Sequence, residues 1–168
     1  MVLNTIVLLF LIYMVVLWIS LGLMYFHRME LTAVSVQEYY LGSAARFTEP
    51  RSYQSLLEVS HAHLFSMGML AVTLTHLLLF APLPDRIKIG LSVAVYLGAI
   101  GDEGAGWLVR FVDPRFAYFK IAMFLLMEIS LAVLITIVIY GLISQRRRHH
   151  ATNKRPPRKK PPGPGHIR

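Results

Sequence analysis

The chain has 168 residues, of which 55% are apolar and only 15% are charged. A soluble domain usually carries about 25% charged residues, so this composition indicates a membrane protein. The formal charge of +8 comes from one end, since residues 146–168 hold nine Lys and Arg and no acid, against eight Lys and Arg and nine acids in residues 1–145. A basic soluble fold that binds nucleic acid is therefore disfavoured. Cysteine is absent, which excludes disulfides and thiolate metal sites.

Four apolar segments predict transmembrane helices, because about 20 apolar residues suffice to cross the hydrocarbon core as a helix. They are Thr5–Phe26, Leu56–Phe80, Ile87–Val109 and Ala117–Ile143. The first has neither the basic start nor the small-residue cleavage site of a signal peptide, so we interpret it as a retained anchor. Short connections make the last three spans antiparallel neighbours. The sequence thus predicts an all-α integral membrane four-helix bundle over residues 1–145.

The arginines directly after the fourth span set the expected orientation, because Lys and Arg favour the cytoplasmic side. Both termini are then cytoplasmic, and the connections at 27–55 and 110–116 face outward. The tail, residues 146–168, is basic and rich in proline, so we expect it to be disordered. It would attract anionic lipid or a cytoplasmic partner. We expect a multi-pass membrane protein with both termini in the cytoplasm.

Ionisable side chains inside membrane spans are costly unless paired, and they are the first place to look for function. Glu58, His61 and His63 lie in the first turns of the second span, and Asp102 and Glu103 lie toward the same end of the third. Glu58 and His61 are three residues apart and share a helix face. His63 lies about 200° from His61, on the other face. We therefore predict a single transition-metal site built from His61 with Glu58 and with Asp102 or Glu103. The alternative is that the three acids pair with Arg110, Arg51 or a histidine at the edge of the bilayer.

A second hypothesis is a haem site, because His61 and His76 are about 22 Å apart along one helix and differ by only about 60° in azimuth. This spacing resembles the stacked b-type haems of respiratory membrane cytochromes, and His63 fits it less well. The third and fourth spans contain no histidine. The second axial ligand would have to be Met123, Met127 or a histidine of a second copy, which makes a homodimer or larger complex an expected partner.

Three further features complete the sequence-based expectations. Glu128 lies near the middle of the fourth span, where we interpret it as a proton relay or as a hydrogen-bonded acid between helices. We expect Lys120, near the end of that span, to extend its amine to the membrane surface. The third span also carries small residues that allow close helix packing, namely Gly98, Gly101, Gly104 and Gly106.

The segment LLEVSHAHLFSMGMLAVTLTHLLLF, with its L-x-E-x-x-H-x-H-L-x-x-M pattern, resembles a helix of uncharacterised bacterial four-span inner-membrane proteins. Its His-x-His-Leu stretch is also similar to stretches in respiratory haem proteins. The resemblance implies a bacterial inner-membrane protein near electron transport. From the histidines of the second span we predict a small electron-transfer or respiratory accessory subunit that binds haem b or a metal, and we favour such a subunit over an autonomous enzyme. The alternatives are a structural or assembly subunit and a small cation or copper transporter.

Overall fold

The computed structural model describes the backbone from Val2 to Asn153 and the side chains from Thr5 to Gly141. Within that part the chain forms four long α-helices and one short one. They are α1 (Val2–Arg28), α2 (Ala33–Leu41), α3 (Tyr53–Leu78), α4 (Asp85–Phe111) and α5 (Ala117–Asn153). Short 3-10 turns at Ala44–Arg46 and Pro114–Phe116 lie before α3 and α5.

The four long helices lie close to the four segments that the sequence predicts, with one difference at the C-terminal end. The predicted fourth span ends at Ile143, whereas α5 continues to Asn153 through the arginine run that we had assigned to the tail. Gln and Arg are good helix formers, which favours this continuation. The remainder of the basic tail, 154–168, lies outside the described residues. Helix α2 was not predicted, because its short length gives only a weak periodic signal.

Local sequence explains where the helices begin and end. The Ser52 hydroxyl accepts a hydrogen bond from the backbone N–H of Ser55 at 3.1 Å and thereby caps the start of α3. Thr32 caps α2 in the same way. Between α3 and α4, Pro84 immediately precedes the first turn of α4. Gly42 ends α2 with φ of 81°, a left-handed conformation that favours glycine.

Helix α4 packs against both α3 and α5, as the short connections predict. Helix α5 also packs against α1 and α3, and α2 lies across α4 and α5. By contrast, α1 and α3 are not in extensive contact. The interface between α3, α4 and α5 holds much of the buried core, including Met67, Leu70, Leu74, Leu78, Val95, Phe124, Met127, Leu131 and Leu134.

The predicted close packing at the glycines of α4 is confirmed at two of them. A Cβ added at Gly98 would lie 2.7 Å from the backbone nitrogen of Met127 on α5, and one added at Gly101 would lie 2.6 Å from the Met123 sulfur. Gly106 instead admits the ring of Tyr40, whose hydroxyl would be 2.7 Å from an added Cβ. Gly104 faces open space. The glycines thus let α5 and α2 approach α4 closely.

Two of the long helices have the length and apolar composition of a membrane span on their own. They are α1, over Thr5–Arg28, and α5 with its preceding turn, over Pro114–Gly141. Helices α3 and α4 are equally long, at 26 and 27 residues, but they carry the ionisable side chains described below. These polar groups lower the apolar character of α3 and α4 along part of their length.

Candidate functional site

A chain of polar side chains links α3 to α4 near one end of the bundle. The indole N–H of Trp107 donates to the Ser60 hydroxyl at 2.9 Å, and Ser60 donates to Glu103 Oε2 at 2.8 Å. The other oxygen of Glu103 pairs with His63 Nδ1. Ser60 and His63 are three apart on α3, and Glu103 and Trp107 are four apart on α4, so each pair shares a helix face. The periodicity of both helices therefore assembles the chain.

Beside this chain, a buried ion pair joins α4 to α5. Lys120 Nζ lies 2.7 Å from Asp102 Oδ1 and donates to the Asp102 backbone oxygen at 3.0 Å. Only 3% of Asp102 and 4% of Lys120 is exposed. The expectation that Lys120 extends to the membrane surface was wrong. A buried ammonium needs a charged partner, and Asp102 supplies one from the adjacent helix.

The two networks meet in a cluster of three groups that can donate to a metal. His63, Asp102 and Glu103 each offer a ligand atom within 4.8 Å of the others. Asp102 is buried, and His63 and Glu103 have side chains exposed by 26% and 13%. One imidazole nitrogen and two carboxylate oxygens form a donor set that suits divalent transition metals. We refer to these three residues as the His-Asp-Glu cluster.

A cavity of about 100 Å³ lies next to this cluster, and His63, Asp102, Glu103 and Lys120 contribute to its wall. Helix α2 closes one side through Tyr40, which packs against Gly106. Burial raises the pKa of Tyr40 to about 12, although the nearby Lys120 charge acts in the opposite direction. Tyr40 is therefore held in its neutral form beside the charged groups.

Of the residues predicted for the site, the structure brings together His63, Asp102 and Glu103 and leaves Glu58 and His61 outside. Glu58 accepts a hydrogen bond from the Gln54 amide at 2.9 Å, and both Glu58 and His61 are exposed on the opposite face of α3. His76 is exposed as well, near the end of α3, where its ring contacts Phe80. The histidine that reaches the carboxylates is thus His63 rather than His61.

Glu128 lies on the side of α5 that faces α1 and does not line the cavity beside the cluster. The indole N–H of Trp18 donates to the Glu128 backbone oxygen at 3.1 Å, and the carboxyl oxygen Oε1 is buried. Met123 and Met127 pack against the glycines of α4, and Met127 also lines the cavity. Their positions are explained by packing between α4 and α5.

Sequence reasoning missed the roles of Ser60, Trp107, Lys120 and Tyr40. A usable signal existed for His63, because Ser60, His63, Met67, Leu70 and Leu74 form one stripe at helical spacing, and four of these five residues are buried. Lys120 could also have been noticed, since it stands within an apolar span as Glu128 does. No comparable signal marked Tyr40, whose approach depends on how α2 folds back onto α4.

Two of the long helices are long and apolar enough to cross a membrane, as expected for an integral membrane protein. Residues 30–149, most of the chain, match the family described as a transmembrane helical domain. The chain belongs to this family. The matched region contains α2 to α4, nearly all of α5 and all the residues of the site, and it begins just after α1. Comparison with curated proteins and comparison with solved structures each gave no match.

Proposed function

We propose that the protein spans the inner membrane four times and binds one transition-metal ion at the His-Asp-Glu cluster. The four spans would be α1, α3, α4 and α5, with both termini cytoplasmic and the cluster toward the outer side. The outward faces of α3 and α4 support this topology, since they expose apolar side chains that suit contact with lipid, including Leu64, Phe65, Met69, Val72, Ile89, Val93, Leu97 and Ile100.

The observation that carries the metal proposal is the convergence of His63, Asp102 and Glu103 from two helices. A cation would take the place of the proton between His63 Nδ1 and Glu103, because a metal ligand must be deprotonated. Ser60 would then act as a positioning residue, since its hydroxyl holds the second oxygen of Glu103. Such outer hydrogen bonds orient metal ligands in proteins.

Electrostatics also favours a bound cation. With neutral His63, the charges of Asp102, Glu103 and Lys120 sum to −1 in a largely buried cluster. An uncompensated buried charge is unfavourable, so the cluster favours one further positive charge. A proton on His63 would bring this sum to zero, whereas a divalent metal ion would bring it to +1. Purified protein contains a metal in the second case only.

We propose electron transfer or a respiratory accessory role as the context of this metal. His61 and His76 are both exposed, and neither lines the cavity beside the cluster. Haem b binding therefore remains a prediction. It would require two copies of the chain to bring their exposed His61 and His76 side chains together. Proton transfer through Glu128, cation or copper transport, and binding of lipid or a partner by the tail remain predictions as well.

The alternative function is that of a structural subunit, and a specific observation favours it. The His63–Glu103 contact ties α3 to α4, and the Lys120–Asp102 pair ties α4 to α5. With His63 protonated, these two ion pairs are neutral overall and need no metal. The same residues would then serve helix packing alone.

Elemental analysis of the full chain, purified in detergent without chelators, tests the proposal. We expect close to one transition-metal ion per chain, lost in His63→Ala and Glu103→Gln. His61→Ala and His76→Ala are matched controls, because they remove exposed histidines from the same helix. We expect both to keep the metal.

Metal-free wild-type protein that folds normally, and that takes up no Zn²⁺, Mn²⁺, Fe²⁺ or Cu²⁺ when these are added, would contradict metal binding and favour the structural alternative. Equal metal loss in His61→Ala and His63→Ala would contradict the assignment of the ligands. Circular dichroism of each variant separates loss of metal from loss of fold.

A further inference from the structure

Two arginines stand at the mouth of the cavity, on the rim formed by the end of α1 and the segment before α3. Arg28 is the last residue of α1, and Arg51 lies two residues before α3 begins. Both line the cavity beside the His-Asp-Glu cluster, and both also line a second cavity of about 290 Å³ next to it. The two guanidinium groups therefore border the region where the two cavities adjoin.

Tyr39 of α2 holds both arginines in place. Arg28 Nη1 donates to the Tyr39 hydroxyl at 2.9 Å, and the guanidinium carbon of Arg51 lies 4.2 Å from the centre of the Tyr39 ring. One tyrosine thus fixes one cation through its hydroxyl and the other through its face. We call Arg28, Tyr39 and Arg51 the arginine clamp.

Neither arginine of the clamp has an acidic partner among the described residues. Two carboxylates line the second cavity together with these arginines. Glu38 pairs with Arg46 at 3.3 Å, and Glu49 forms no ion pair among the described residues. In the wall of the first cavity, Asp102 pairs with Lys120, and Glu103 pairs with His63. Two positioned guanidinium groups without an ion-pair partner among the described residues are suited to bind an oxyanion, for which arginine is the preferred residue.

The His-Asp-Glu cluster and Lys120 form a polar part of the cavity wall, and much of the rest of the wall is apolar. This apolar wall is formed by Leu21 and Met24 of α1, Leu56 and Val59 of α3, and Phe124 and Met127 of α5. Since α1 and α3 are not in extensive contact, this wall is reached from between them. Tyr25, three residues before Arg28, adds a buried hydroxyl that has no hydrogen-bond partner among the described residues.

The depth of the clamp matches that of lipid head groups. Arg28 ends the span Thr5–Arg28, so its guanidinium lies where the hydrocarbon core gives way to the interface. The polar end of the region therefore lies at phosphate level, and the apolar wall lies at the level of acyl chains. A free phosphate would use only the first of these two features.

We infer that the arginine clamp binds the phosphate of an anionic phospholipid, with an acyl chain against the apolar wall between α1 and α3. Arg28 and Arg51 supply charge-assisted hydrogen bonds to the phosphate oxygens. Tyr25, which lines the same cavity, supplies a further hydroxyl donor. This site uses residues outside the proposed metal cluster and outside the basic tail.

Native mass spectrometry of the full chain in detergent, titrated with phosphatidylglycerol, tests the inference. We expect one lipid to bind ahead of the rest, with an affinity at least about tenfold lower in Arg28→Gln/Arg51→Gln. Arg28→Lys/Arg51→Lys keeps the charge but loses the paired geometry, so we expect an intermediate affinity. Arg115→Gln, which removes an exposed arginine from another connection, should leave the affinity unchanged.

Inorganic phosphate and glycerol phosphate, added in separate titrations, distinguish a lipid from a free anion. We expect neither to displace the bound phosphatidylglycerol at equal concentration, because neither contacts the apolar wall. Displacement by either would show that the clamp takes free oxyanions and would overturn the lipid assignment. Equal lipid affinity in wild type and Arg28→Gln/Arg51→Gln would overturn the site itself, as would an equal loss in Arg115→Gln.

Discussion

Lys120 and Asp102 show how strongly one residue depends on a partner that is distant in sequence. Each is almost fully buried, and each is compensated by a group on the next helix. The sequence places Lys120 near a span end, where an extended conformation toward water is the usual arrangement. Its burial could not be predicted without knowing that α4 and α5 pack so closely at this level.

The buried ion pair leads to a prediction about stability. Lys120→Met or Asp102→Asn alone leaves one uncompensated buried charge, so each should lower the free energy of unfolding by about 3–5 kcal/mol. The double variant should lose clearly less than the sum of the two. Unfolding in detergent, followed by circular dichroism, measures these differences. Strictly additive effects would show that the two groups are not coupled.

Tyr40 predicts a specific dependence of stability on alkaline pH. Burial raises its pKa to about 12 in the folded protein, above the ordinary tyrosine value of 10.0. The stabilising contribution is therefore fully present below pH 10 and is lost as the pH rises through about 12. Tyr40→Phe should show a smaller loss of stability over this range than wild type, whereas exposed Tyr118→Phe should behave like wild type. Identical pH profiles for wild type and Tyr40→Phe would contradict this account.

At the scale of the helix, α3 shows what periodicity predicts and what it leaves open. Spacing alone placed His61 and His63 on opposite faces, and this is what the structure has. It did not say which face is inward. The sequence-based hypothesis chose His61 because it shares a face with Glu58, but that polar face is the exposed one. The inward face carries His63 in line with Met67 and Leu70, so the buried stripe was the better guide.

Helix α4 gives a prediction about packing. Gly98→Ala would bring a Cβ within 3 Å of the α5 backbone at Met127, which cannot move aside as a flexible side chain can. We expect a loss of about 1–3 kcal/mol in the free energy of unfolding. Gly104→Ala is the matched control, because nothing lies within 4 Å of its added Cβ. Its higher helix propensity should make it neutral or slightly stabilising. Similar losses in both variants would argue against close contact at Gly98.

For the whole molecule, the sequence predicted the positions of the four long helices and the end of the bundle at which polar groups gather. The reason is that helix length and apolar content are properties of contiguous residues. The way α2 folds over α4 and α5, and the pairing of Arg51 and Arg28 around Tyr39, depend on contacts between distant segments. Those features could be found only from the structure.

The proposed topology can be tested by labelling single cysteines, since the chain has none of its own. Glu49→Cys and Arg115→Cys should react with a membrane-impermeant maleimide from outside intact cells, and Arg86→Cys should react only after the cells are opened. All three positions are exposed in the structure. Equal external labelling at all three would contradict a four-span arrangement.

A cobalt(II) titration followed by visible absorption tests the central claim, metal binding by the His-Asp-Glu cluster, most directly. The bands of cobalt(II) respond to the identity and geometry of its ligands, so the spectrum reports a nitrogen and oxygen donor set. The account predicts saturation at one cobalt per chain in wild type and in His61→Ala, and no such bands in His63→Ala. Absence of the bands in wild type, or their full retention in His63→Ala, would contradict it.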